Sequence, residues 1–112
     1  MLIPGADHAI VSREKLVEYL LNLDHPDGGT KAAVLARAGF SVDRPEALEH
    51  ALRTQHLCLG ANKGKPSEYG DKYDIIAPLT GPTGRVTVRS IWIIRHGERV
   101  PRLITLVPEK QP

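Results

Sequence analysis

The chain is poor in aromatic residues and in cysteine. Trp92, Phe40 and three tyrosines are the only aromatic side chains among 112 residues, so the core must be built mainly from Leu, Ile, Val and Ala. A single cysteine, Cys58, excludes an intrachain disulfide and a cysteine-rich zinc site. Between Leu57 and Leu59 it reads as a small buried hydrophobe rather than a nucleophile. No run approaches the roughly 18 apolar residues that a membrane span needs. Residues 1–8 have neither the basic segment nor the long apolar stretch of a signal peptide. The expectation is a cytoplasmic protein without membrane contact. A glycine-rich phosphate loop, a His-Glu-x-x-His pair and a nucleophile elbow are all missing. The five histidines show no ligand spacing, and His50 and His56 fall on different faces of one helix. No metal and no cofactor are expected.

What remains is an ordinary globular composition, 41% hydrophobic and 25% charged, at a length suited to one domain covering residues 1–112. The first half carries helical patterns. Ser12 can cap a helix whose apolar positions are Leu16, Tyr19, Leu20 and Leu23, running to about Asn22. A second helix starts near Thr30, turns Ala33, Val34 and Ala38 inward and stops at Gly39. The third has Asp43 as its cap, Glu46 three residues later, and the buried stripe Leu48, Ala51 and Leu52, ending near His56. Residues 60–71 are polar, with three glycines and a proline, and read as a loop. Residues 73–79, 86–94 and 102–107 are rich in β-branched side chains and separated by short turns, which implies an antiparallel meander with 86–94 at its centre. Residues 2–3 or 9–11 could add an edge strand. The fold class is therefore α+β, with about three N-terminal helices packed on a C-terminal antiparallel sheet of three to four strands.

Charge is unevenly placed. Residues 1–56 hold six Lys/Arg and eight Asp/Glu, whereas residues 57–112 hold nine and five. Five arginines (Arg85, Arg89, Arg95, Arg99, Arg102) face one acid, Glu98, between positions 85 and 102. Such a field favours anionic partners, RNA among them, although a solvated sheet face has the same composition.

Three features carry chemistry. In His25-Pro26-Asp27-Gly28-Gly29-Thr30-Lys31, a histidine precedes a helix and a lysine occupies its first turn. Lysine is electrostatically unfavourable there, unless an anion is bound. His25 could then act as acid or base; the plain alternative is turn chemistry beside a solvated lysine. Tyr69-Gly70-Asp71-Lys72-Tyr73 opens the first long strand, where Lys72 could meet a phosphate and Tyr69 or Tyr73 stack on a base; the plain alternative makes Tyr73 core. Finally, Arg89 interrupts an apolar strand and needs a partner such as Asp74 or an anion, with Thr105 as a small polar residue on the last strand. Both alternating sets of residues 86–94 are apolar, so the pattern does not assign the faces.

Read together, Leu2-Ile3-Pro4-Gly5-Ala6-Asp7, His25-Pro26-x-Gly28-x-x-Lys31-Ala32, Gly39-Phe40, Tyr69-Gly70-x-Lys72-Tyr73, Leu79-Thr80-Gly81-Pro82-x-Gly84-Arg85, Ile91-Trp92-Ile93-Ile94 and Pro101-Arg102-Leu103-Ile104-Thr105 resemble a family of uncharacterised small bacterial domains, found free-standing and as C-terminal tails of polymorphic toxins. The order of elements is similar to the superfold of barnase, EndoU, colicin and RelE ribonucleases. The resemblance implies metal-independent RNA cleavage by a toxin of a toxin–antitoxin pair. It casts His25, Lys31, Lys72, Arg89 and Thr105 as the catalytic set and a cognate antitoxin or immunity protein as partner. This chain departs from the pattern after Thr105, where Leu106-Val107-Pro108 stands in place of an expected aromatic. The competing class is a non-catalytic binding module, an antitoxin, immunity protein or small oligomerising scaffold. In that reading a homodimer would bury Trp92 at its interface.

Overall fold

The computed structural model describes residues 1–27 and 29–109; Gly28 of the expected turn and residues 110–112 lie outside the described residues. Helical and irregular elements precede a four-stranded sheet. A short 3-10 turn spans Ala6–His8 and a π-helix spans Lys15–Leu20. Two α-helices lie mid-chain, α1 at Gly29–Arg37 and α2 at Pro45–Gln55. The strands are β1 (Asn62–Lys63), β2 (Gly70–Gly81), β3 (Gly84–Arg95) and β4 (Arg102–Pro108). They form an antiparallel meander in chain order. Among the described residues, no helix is long and apolar enough to cross a membrane.

Register settles the faces that alternation leaves open. Tyr73, Ile75, Ala77 and Leu79 of β2 pair with Trp92, Ser90, Val88 and Val86 of β3. This is the face the helices cover: Leu79, Ser90 and Trp92 are fully buried, and Tyr73, Ile75, Ala77 and Val88 nearly so. Leu35, Leu48 and Leu52 close the core from α1 and α2, each fully buried leucine contributing about 1.5–3 kcal/mol. The opposite face carries Lys72, Asp74 and Ile76 of β2 against Ile93, Ile91 and Arg89 of β3. Trp92 is thus a core residue of the single chain and is not placed to line a dimer interface.

The helices depart from the sequence expectation in instructive ways. Ser12 does cap the first one, its Oγ accepting from Lys15 N at 3.4 Å. The coil then widens, with Leu21 N donating to Leu16 O across five residues. The extra residue per turn rotates the chain, so Leu21 is buried and Leu23 is exposed. In α1 the inward residues are Ala32 and Leu35, followed by Ala38, while Ala33 faces solvent. In α2 the cap position is Arg44, not Asp43, with no side-chain cap bond, and Pro45 opens the helix. Cys58 is exposed, because the turn after α2 sends His56 and Leu57 inward and Cys58 outward.

Residues 60–71 are more ordered than a plain loop. Asn62–Lys63 pairs with β2, and Ser67 bridges to Gly70. Gly70 has φ 149°, and a Cβ there would lie 2.2 Å from Ile94 O, so this crossing requires glycine. Residues 2–3 add no strand. Ile10 forms a single parallel bridge with Arg102 at the outer edge of β4.

Candidate functional site

The outer edge of β4 is where the elements converge. The β3–β4 register shifts between Ile91 and Trp92: Ile91 faces Thr105, and Trp92 faces Leu103. Ile104 is the extra residue of this bulge, a device that re-aims neighbouring side chains. Its carbonyl accepts a hydrogen bond from Lys15 Nζ at 2.7 Å. Just above it Ile10 O accepts from Leu103 N at 3.0 Å. The edge is thus sealed as far as Thr105.

There three elements meet. Lys31, from the first turn of α1, donates from Nζ to the Tyr19 hydroxyl at 2.6 Å and to Thr105 Oγ1 at 2.9 Å. Tyr19 and Thr105 hydroxyls stand 3.5 Å apart. Nζ is 5.0 Å from the Tyr19 ring centroid, but its short contact with the hydroxyl puts it at the polar end of the ring. The interaction is a charge-assisted hydrogen bond rather than a cation–π contact. It answers the electrostatic puzzle of a lysine at a helix N-terminus, since two hydroxyl oxygens solvate the ammonium. It also acts on Tyr19. The Lys31 hydrogen bond, and secondarily that of Thr105, hold the phenol below its ordinary pKa against the opposing effect of burial.

His25 packs edge-on against Tyr19, the ring centroids 4.9 Å apart and the planes at 73°. Its Nδ1 accepts from Asp27 N at 3.0 Å, which leaves the proton of the neutral ring on Nε2. Both acid and base catalysis at Nε2 need a proton on Nδ1, so His25 can serve either role only when the Asp27 amide turns away.

Of the five residues expected from the sequence, the structure brings Lys31 and Thr105 into direct contact and sets His25 beside them through Tyr19. Lys72 and Arg89 lie elsewhere on the open sheet face. Arg89 sits one same-face pair beyond Ile91–Thr105, opposite Val107. Its Nε is 2.9 Å from Glu109 and 3.6 Å from Asp74, without hydrogen-bond alignment to either. The expected Asp74 pairing is present, and Glu109 adds a second carboxylate. Lys72 pairs across β3 with Ile93, which in turn faces Arg102. This row borders a groove of about 690 Å³ between the open face and the sealed β4 edge.

Tyr19 is the residue that sequence reasoning passed over as a site. Its place in the helical stripe marked it as core, and its ring does pack against the core. Only the polar tip, close to Lys31, distinguishes it.

A family model described as Domain of unknown function (DUF6883) matches residues 2–110. The chain belongs to this family. None of the curated proteins and none of the solved structures compared with it matches.

Proposed function

We propose that the domain is a toxin-like, metal-independent endoribonuclease acting in the cytoplasm, the toxin of a toxin–antitoxin pair. The observation that carries this reading is the convergence of Lys31 on the hydroxyls of Tyr19 and Thr105, 2.6 and 2.9 Å away, beside His25. In RNA cleavage a base removes the 2′-hydroxyl proton and the 2′-oxygen attacks the adjacent phosphorus. The 5′-oxygen then leaves with a proton, and a 2′,3′-cyclic phosphate remains. Tyr19, with its lowered pKa, is suited to take the first proton. The Lys31 ammonium meets the charge that builds on the phosphorane oxygens, and Thr105 hydrogen-bonds to one of them. His25 supplies the leaving-group proton from Nε2 once the Asp27 amide turns away from Nδ1. Lys72 and Arg89 then act on phosphates beyond the scissile one, Arg89 by exchanging its carboxylates for them.

The test is incubation of the purified protein with single-stranded RNA in excess chelator, with products read by mass spectrometry. Cyclic phosphate ends that disappear in Lys31→Ala and fall steeply in Tyr19→Phe support the reading. Intact RNA, or cleavage indifferent to both substitutions, would overturn it.

A second reading rests on the open sheet face. Ile76 is 47% exposed there, and Ile91 and Val107 are only half-buried in neighbouring positions. A binding module, with an antitoxin-like or scaffold role, would use this apolar strip for self-association. Sedimentation velocity separates the two: a tight homodimer weakened by Ile76→Asp favours the module, and a monomer favours the enzyme.

A further inference from the structure

We infer that the groove beside the Lys31 cluster is a binding track for single-stranded nucleic acid, with Tyr69 as the platform on which one base stacks. The inference rests on the ribonuclease reading for the purpose of the track, but its geometry stands apart from the cleavage cluster. Four cations from four elements line the groove: Lys15 of the π-helix, Lys72 of β2, Arg95 at the end of β3, and Arg102 of β4. Among the described residues, no carboxylate lines it. Glu98 stands behind Arg102, taking its Nε at 3.0 Å and an Nη at 2.8 Å, which fixes the guanidinium in place. That ion pair largely offsets the charge of Arg102 and leaves Lys15, Lys72 and Arg95 as the dominant field.

Tyr69 lines the same groove and is 69% exposed. An aromatic ring left in water gains nothing for the fold, yet the backbone that carries this one is tied down on both sides. The Tyr69 amide donates to Ser67 Oγ at 3.3 Å, and its carbonyl accepts from His96 N at 3.2 Å. Gly70, which follows, is locked against Ile94 by its close approach. The turn therefore fixes the backbone from which Tyr69 projects at the rim of a basic channel. A cationic channel with one exposed aromatic ring at its rim matches the chemistry of a single strand, whose phosphates meet the cations while a base meets the ring. A duplex hides its base faces and would leave Tyr69 unused. An acidic protein surface would satisfy the charges but gives no reason for a solvated tyrosine on a braced turn.

The track and the cluster share a wall. Lys15 and Ile104 line the groove, and Thr105 is the next residue of β4. A strand lying in the groove thus delivers its following phosphate toward Lys31.

The experiment is fluorescence anisotropy of the full chain with labelled 12-mers of uridylate and of thymidylate, using Lys31→Ala as the background so that no cleavage intervenes. Both oligomers are expected to bind, with log affinity falling against log salt at a slope of about −2 to −3, as for three or four displaced counterions. Tyr69→Ala should weaken binding at least about fivefold with the slope unchanged. The double variant Lys72→Glu/Arg95→Glu should weaken it by more and flatten the slope. Lys63→Glu, outside the groove, should leave binding close to that of its parent. No binding, or equal binding by the groove variants when their circular dichroism is native, overturns the inference. So does capture of acidic polypeptides such as polyglutamate with the same Tyr69-independent affinity. Binding that follows these rules beside a wild-type protein that never cleaves would sink the ribonuclease reading and leave the track standing.

Discussion

The buried polar chain across the core offers the most demanding test of the fold. His56 and Ser90 are both fully buried. Ala77 O can only accept, so His56 Nε2, at 3.1 Å, must carry the proton. Nδ1 then accepts from the Ser90 hydroxyl at 2.7 Å, and Ser90 Oγ in turn accepts from Trp92 Nε1 at 2.9 Å. One hydroxyl therefore satisfies two buried groups. Replacing Ser90 with Ala removes a single oxygen but orphans both His56 Nδ1 and Trp92 Nε1. At about 1–3 kcal/mol for each unsatisfied group, the loss is about 2–6 kcal/mol, a large share of the about 5–15 kcal/mol typical of a domain. The pH dependence follows from the same chain. Burial holds the His56 pKa below its ordinary value, against the weaker opposing effect of the Ala77 bond. The unfolded chain therefore binds the proton more readily than the fold does, and stability rises with pH. The contribution is complete above the ordinary histidine range near pH 6.5 and is lost progressively as pH falls below it. Urea denaturation of wild type and Ser90→Ala between pH 8 and pH 5 measures both effects. A loss under about 1 kcal/mol, or a wild-type stability that is flat or rising on acidification through pH 6, would refute the network as described.

Other consequences are equally open to measurement. Tyr19 should begin to ionise below the ordinary tyrosine range in an ultraviolet titration, and Tyr19→Phe or Lys31→Ala should abolish that early phase; because its folded pKa is lowered, this tyrosine adds stability only on the alkaline side, and the gain disappears as pH falls through the folded pKa. Gly70→Ala should destabilise the domain by more than about 2 kcal/mol, since its Cβ would collide with the β3 backbone at Ile94 and Arg95. Cys58 should react with a thiol reagent in the native state without loss of helicity, the residue being exposed and its sulfhydryl donating to Thr54 O at 3.1 Å; protection until unfolding would contradict the orientation of the turn after α2.

Much of the sheet was legible because β-branched runs and glycine-bearing turns leave strong local marks, and strand 86–94 does lie inside the meander. Its faces were not legible, since Val88, Ser90 and Trp92 look as apolar in sequence as Arg89, Ile91 and Ile93. Pairing with β2, a non-local fact, decides which set the helices cover. The π-helix leaves no compositional trace at all. A repeat of 3.6 was the only template on offer, and it exchanged Leu23 for Leu21. Lys31 and Thr105 were singled out from chemistry that the fold joins, 74 residues apart. Tyr19 escaped because one side chain serves two purposes, an apolar ring in the core and a hydroxyl on an ammonium. Arg89 was correctly judged to need a partner, but Glu109 lies at the far end of the chain, where only the β3–β4 register brings it close.

The central claim concerns the chemistry of the Lys31 cluster, and induced expression in a bacterial host tests it most directly. Wild type is compared with Lys31→Ala and His25→Ala, total RNA is examined soon after induction, and the purified variants are checked for native melting. The account predicts growth arrest with discrete RNA fragments for wild type, both absent in Lys31→Ala. Normal growth and intact RNA from folded wild-type protein, or arrest undiminished by Lys31→Ala, would contradict it.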